Sequence, residues 1–192
     1  MPDEVVEDFG PSNGRVTGVL GLAICLGIVI LGVVERDEGF PPAAVWGALL
    51  GGVLFWSASL RPRVRVDSSQ LRLRNMLTTI TVPLAAIEQI VVRQVLLVRV
   101  GDQRYVSSAI GKSWRQALKS NRQPKPGEAA PYPIFVEERL QQLAEEARAR
   151  AGITLMSDQQ VALAHGVRRD LAWPEIVLLG FTALGLVVSL LV

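Results

Sequence analysis

Arg61-Pro-Arg-Val-Arg-Val-Asp67, then Ser68-Ser69, then Gln70-Leu-Arg-Leu-Arg-Asn75 is the stretch that decides the fold. Val64, Val66, Leu71 and Leu73 alternate with Arg63, Arg65, Arg72 and Arg74, the period of half-buried strands, and Ser68-Ser69 marks a turn between them. Pairing Asp67 with Gln70 sets Val66 opposite Leu71 and Val64 opposite Leu73. A slip of one residue would place Val64 against Arg72 and mix the faces, so the pattern selects this register. The same register opposes Arg65 to Arg72 and Arg63 to Arg74. Like charges across strands destabilise by roughly 0.2–1 kcal/mol per pair. Compensation is therefore expected from water and salt, from acids such as Asp67 or Glu88, from anionic lipid heads, or from an acidic partner.

Working outward, this basic segment is bracketed by apolar runs at Val16 to Val34, Pro41 to Leu60 and Leu171 to Val192. The 192 residues are 49% hydrophobic, and the mean hydropathy is +0.32. A helix needs roughly 20 mostly apolar residues to cross a bilayer core. All three runs are long enough, and Glu175, near one end, is the acid they contain. The segment before the first run is acidic (Asp3, Glu4, Glu7, Asp8), and no small-x-small site follows it. Both features argue for a retained span over a cleaved secretory signal.

Lys and Arg favour the cytoplasmic side. Arg15 precedes the first run, Arg61, Arg63 and Arg65 follow the second, and Arg168 and Arg169 precede the third. Only Arg36 lies in the link between the first two. The expectation is a plasma-membrane protein with its N-terminus and middle domain cytoplasmic and its C-terminus outside. Trp56 and Trp173 fall near the inner boundary. Ala43, Gly47 and Gly51 recur every fourth residue, with Ala44, Ala48 and Gly52 as a second small stripe. Small residues at this spacing let helix backbones approach closely. They suit a hairpin against Gly14, Gly18 and Gly21 of the first span, or a homodimer seam.

Further strands are expected at Thr79 to Val82, Gln89 to Arg93, Val95 to Val100 and Arg104 to Ser107, with Gly101-Asp102 as a turn. Pro83 to Glu88 reads as a helical turn, and Gly111 to Ser120 as a closing helix. Pro124, Pro126, Pro131 and Pro133 make residues 121–133 a linker. Ile134 to Ala151 has a helical apolar stripe through Val136, Leu140, Leu143 and Ala147. The stripe ends in alanines, which suggests weak packing, or packing only on a partner. Ser157-Asp-Gln-Gln160 resembles a capping box opening a second helix toward Arg168.

The chemistry-bearing motifs are few. The sequence has no glycine-rich phosphate loop, no His-Glu-x-x-His and no cysteine pair; Cys25 is single and His165 stands alone. No catalytic residue, cofactor or metal is expected. The mildly basic pI near 9.0 fits a positive-inside membrane protein and makes no case for nucleic acid. The candidate contacts for anionic lipid heads or a partner are Arg61, Arg63, Arg65, Arg72 and Arg74.

Arg61-Pro-Arg-Val-Arg-Val-Asp67, Leu71-Arg-Leu-Arg-Asn75 and Val82-Pro-Leu-Ala-Ala-Ile-Glu88 together resemble an actinobacterial family of membrane-anchored proteins of the low-molecular-weight antigen type. In that family two spans lead into a small bacterial pleckstrin-homology (PH)-like domain. The likeness covers roughly Val16 to Lys119; Leu84 stands where the family would carry a tryptophan. It implies a half-barrel capped by a helix, used for binding or scaffolding, with no catalytic residues to carry over. The whole chain is thus expected to be an α+β membrane protein. A cytoplasmic tail (1–15) leads to a transmembrane hairpin (16–60), a PH-like β domain (61–120) and the linker. A cytoplasmic helical segment (134–170) and a third span (171–192) follow. Its expected role is a non-catalytic, membrane-tethered interaction module that meets membrane lipids and, alternatively, a protein partner or second copy. The competing role is an accessory subunit of a transport or envelope-synthesis complex.

Overall fold

The computed structural model describes residues 5–11, 14–35, 39–111 and 131–191. They divide into two compact units. One comprises the N-terminal residues with Pro62–Asp170, the other Gly14–Arg61 with Leu171–Val192.

The first unit is built of antiparallel sheets. Strands β1 (Val5–Phe9), β2 (Arg63–Asp67), β3 (Gln70–Arg74), β4 (Thr78–Pro83) and β8 (Arg168–Leu171) form a sheet in the order β1-β2-β3-β4-β8. Strands β5 (Gln89–Val92), β6 (Leu96–Val100) and β7 (Gln103–Ser107) form a second sheet. The register of β2 on β3 is the one the alternation selects: Arg63 faces Arg74, Val64 Leu73, Arg65 Arg72, and Val66 Leu71. All four of those aliphatic side chains are fully buried. Leu73 and Leu71 continue the inward rows to Ile80 and Val82 of β4. A short 3-10 turn, Leu84–Ala86, follows Pro83 and buries Leu84 and Ala86. Gly101 turns β6 into β7 with φ of 56°, a left-handed conformation that glycine adopts without a Cβ clash.

Helix α1 (Arg15–Val34) and helix α2 (Pro42–Phe55) belong to the second unit; helix α3 (Tyr132–Ala151) belongs to the β unit. Proline is tolerated in the first turn, where the backbone N–H has no helical partner, so α3 begins before Ile134 with Pro133 inside it. It ends on Gly152 at φ 68°. Its stripe of Val136, Leu140, Leu143 and Ala147 enters the same core as the strands. The expectation of a weakly packed or partner-dependent helix is therefore corrected. Alanines at the stripe's end allow close approach, and Val136 and Leu140 supply full burial. Polar side chains of α3 also bond the outer edge of β5. The Val92 N–H donates to Glu137 Oε2 at 3.1 Å, and Gln141 Nε2 donates to the Ile90 carbonyl at 2.9 Å. Such contacts cover a strand edge that would otherwise invite pairing. Among the described residues α3 is the helix that closes this core; the helix expected at Gly111 to Ser120 lies, beyond Gly111, outside them.

Helix α4 (Asp158–Ala164) starts where the capping pattern places it, with Ser157 Oγ accepting from the Gln160 N–H at 3.2 Å. The Gln160 amide is itself buried. It donates to the carbonyls of Ala85 (3.2 Å) and Ile87 (3.1 Å) and accepts from the Met156 N–H (2.7 Å). Two segments differ from expectation. The acidic tail contains strand β1, and the helical segment ends in strand β8.

In the second unit α2 runs on through a wide π-helical turn, Trp56–Leu60, and helix α5 spans Trp173–Leu191. The three helices Arg15–Val34, Pro42–Leu60 and Trp173–Leu191 are long and apolar enough to cross a membrane. Gly18 and Gly21 of α1 lie against the C-terminal part of α2. A Cβ on Gly18 would come within 2.7 Å of Ser59, and one on Gly21 within 2.6 Å of the Phe55 ring. On α2, Gly51 meets Cys25 of α1, whereas Gly47 is nearest Leu186 of α5. The small stripe Ala43, Gly47, Gly51 is thus divided between two neighbours. The α5 contact has an element the periodicity did not indicate: Trp46 covers Gly185 and meets Phe181 edge-on, with ring centroids 5.6 Å apart.

Candidate anion-binding face

Alternation along β2 and β3 turns Arg63, Arg65, Arg72 and Arg74 away from the core, since the intervening residues are its fully buried members. Thr81 and Thr79 of β4 extend the two rows from Arg72 and Arg74. On the other flank Asp8 of β1 stands opposite Arg65. Its Oδ2 is 3.1 Å from Arg65 Nε and 4.0 Å from an Arg63 nitrogen. One carboxylate therefore serves two guanidiniums, and all three side chains are roughly a third or more exposed, at 35% for Asp8 and 44–45% for the arginines. Arg72 is treated differently. Its Nε lies 2.9 Å from Asp67 Oδ2, and the Asp67 side chain is only 3% exposed.

Of the two internal acids expected to offset the arginine rows, Asp67 does so. Glu88 is elsewhere, near Arg99 (3.5 Å) and accepting from the Gly101 N–H (3.1 Å). Sequence reasoning missed Asp8, whose role depends on β1. The available signal was Val5-Val-Glu-Asp-Phe9, a short run of strand-favouring residues inside the acidic segment. Phe9 enters the core and Glu7 reaches α3, where Arg139 Nη2 lies 2.6 Å away. The hydrogen bond and the Coulomb attraction of Glu7 raise the Arg139 pKa above the ordinary arginine value. Tyr132 Oη adds a bond to the Gly10 carbonyl at 3.3 Å. β1 is thereby held at both its edge and its end.

Arg61 does not share this face. It lies in the helical unit, where its Nε is 2.6 Å from Glu175 Oε1, with 4% and 6% of the two side chains exposed. An apolar helix bundle holds a buried charge only with a compensating partner, and each residue supplies the other's. A cleft of about 520 Å³ opens between the β2–β3 turn and α3. Leu84 and Leu143 lie at its base, with Asp67, Ser68, Arg139, Glu146 and Arg150 around them.

The chemistry available to the arginine face is the binding of anions. Guanidiniums donate to phosphate or carboxylate oxygens in a planar fork and do not deprotonate. His165 is exposed, and its ring Nδ1 contacts the Ala162 carbonyl of its own helix end at 3.3 Å. Among the described residues no group of three His, Cys, Asp or Glu side chains is placed to hold a metal. Comparison with known protein families, curated proteins and solved structures finds no match to this chain.

Proposed function

We propose that this is a non-catalytic, three-span protein of the plasma membrane whose β unit is a cytoplasmic, PH-like interaction module for anionic lipid heads. The carrying observation is the outward double row of arginines on β2 and β3, in which one carboxylate, Asp8, is shared between Arg63 and Arg65. Arg63 follows Leu60 at the end of the second apolar helix by three residues, roughly 10 Å of extended chain at most. A basic face tethered that closely to an anionic leaflet gains about 1 kcal/mol per Lys or Arg. Two antiparallel sheets closed by α3 support the PH-like reading, as does the resemblance of the Arg61 to Glu88 motifs to the actinobacterial family. β1 precedes the helical hairpin and β2 follows it, yet they pair. That pairing supports two crossings between them, and the Lys/Arg distribution supports the cytoplasmic side. A subunit of a larger transport assembly is less supported, because the α3 stripe and the small-residue stripe of α2 already pack within the chain.

The test uses the full chain in neutral detergent, titrated with phosphatidylglycerol or phosphatidylcholine, with bound lipid counted by native mass spectrometry. Phosphatidylglycerol should bind more tightly, and 1 M salt, with a Debye length of roughly 3 Å, should remove the preference. Inorganic phosphate at equal concentration should compete poorly if the membrane lipid is the ligand. Equal binding of both lipids, unaltered by changing Arg63 and Arg65 to Gln, would refute the proposal. For orientation, single cysteines at Asp37 and Gly127, with Cys25 replaced, are labelled in intact cells by an impermeant reagent. Position 37 should react and position 127 should not.

A further inference from the structure

We infer that Asp8 is a built-in competitor for the arginine face: strand β1 delivers a carboxylate to the guanidiniums that an anionic headgroup would otherwise take. This rests on the lipid-head reading above and adds regulation to it. Three observations on the same strand carry it. Asp8 Oδ2 lies between Arg65 Nε (3.1 Å) and an Arg63 nitrogen (4.0 Å), the place a phosphate or carboxylate oxygen would occupy. The Asp8 side chain is 35% exposed, unlike Asp67 at 3%, so it can give way to an incoming anion without opening the core. And β1 does not depend on Asp8 for its place. Phe9 is buried, Glu7 is bonded to Arg139, and the backbone is paired along β2. The division of labour along the strand is the basis of the inference: Glu7 and Phe9 hold β1 down, and Asp8 occupies the face.

An exposed ion pair of this kind is weak and is screened by salt, whereas several headgroups at a bilayer surface act together. Asp8 therefore sets a threshold. At low anionic-lipid density it satisfies Arg65 and part of Arg63; at high density the lipid displaces it. Removing its charge should tighten phosphatidylglycerol binding about fivefold, the effect of one unit charge near an anionic leaflet.

The experiment compares the full chain with Asp8→Asn and Asp8→Glu in the detergent titration already described, after thermal melting has shown that each variant is folded. Asp8→Asn should bind phosphatidylglycerol more tightly and require more salt for release. Asp8→Glu, which keeps the charge, should behave as the parent. The gain should vanish when Arg63 and Arg65 are also changed to Gln. If the parent prefers phosphatidylglycerol and Asp8→Asn binds no better, the competitor role is overturned and the lipid-head reading stands. If Asp8→Asn binds and the parent does not, the competitor role is supported and the face is normally closed. If neither binds, both readings fall.

Discussion

Changing Arg65 or Arg72 singly to Gln should separate two arginines that look equivalent from outside. They face each other across β2 and β3, so either change relieves the same like-charge opposition, worth roughly 0.2–1 kcal/mol. The losses differ. Arg65 gives up a pair with Asp8 in which both side chains are well exposed, and such pairs contribute about 0–1 kcal/mol. Arg65→Gln should then lie within about 0.5 kcal/mol of the parent. Arg72 gives up a 2.9 Å contact with a carboxylate that is 3% exposed. The two atoms approach without hydrogen-bond alignment, so the contact is a charge pair, and removing the guanidinium leaves a buried carboxylate uncompensated at a cost of about 1–3 kcal/mol. After the relieved repulsion, Arg72→Gln should destabilise by about 1–2 kcal/mol. Hydrogen exchange of β3 and β4 peptides, read by mass spectrometry on the full chain, measures the local opening free energy. Adding Asp67→Asn to Arg72→Gln should recover most of the loss. Equal effects of the two single changes, or no recovery, would show that the burial of Asp67 does not govern the difference.

The Arg61–Glu175 pair predicts strong coupling. Either Arg61→Gln or Glu175→Gln should lower the thermal midpoint in detergent by the equivalent of about 3 kcal/mol, with the double change costing far less than the sum. On α5, Gly185→Ala should weaken the helical unit because Trp46 fills the space a Cβ needs, whereas Gly180→Ala, with no atom within 4 Å, should be neutral or mildly stabilising. Leu140→Ala on α3 should destabilise the β unit by about 2–5 kcal/mol in the same exchange measurement. A fragment of residues 61–120 omits both β1 and α3, and its proton NMR spectrum should lack native dispersion.

The β2–β3 register was legible because one face is buried throughout, and a period of two then leaves no second solution. Strand limits from β4 to β7 followed for the same reason, within a residue or two of the expected ends. Amphipathic spacing in α3 marked its buried stripe without naming what covers it, since period reports a face and not a neighbour. Arg61 was grouped with the exposed arginines because its partner Glu175 is 114 positions away and belongs to another helix. Asp8 was hidden for a related reason. A five-residue strand ahead of a long apolar helix has too few alternations to stand out, and its acids read as a solvated tail.

The pairing of β1 with β2 also bears on how the chain is assembled. Asp8 and Arg65 are 57 positions apart, and in the proposed arrangement both crossings of the hairpin lie between them. β1 leaves the ribosome first and must wait for a partner made only after the second helix. Were a single helix of the hairpin to insert, β1 and β2 would emerge on opposite sides of the bilayer. Phe9 could then not reach the core, and Glu7 could not reach Arg139. In that arrangement the β unit completes itself when both helices of the hairpin insert, and not when one inserts alone. Under the proposed arrangement its folding free energy would be linked to paired insertion, and a half-inserted chain would be left with an open sheet edge at β2 for quality-control proteases to find.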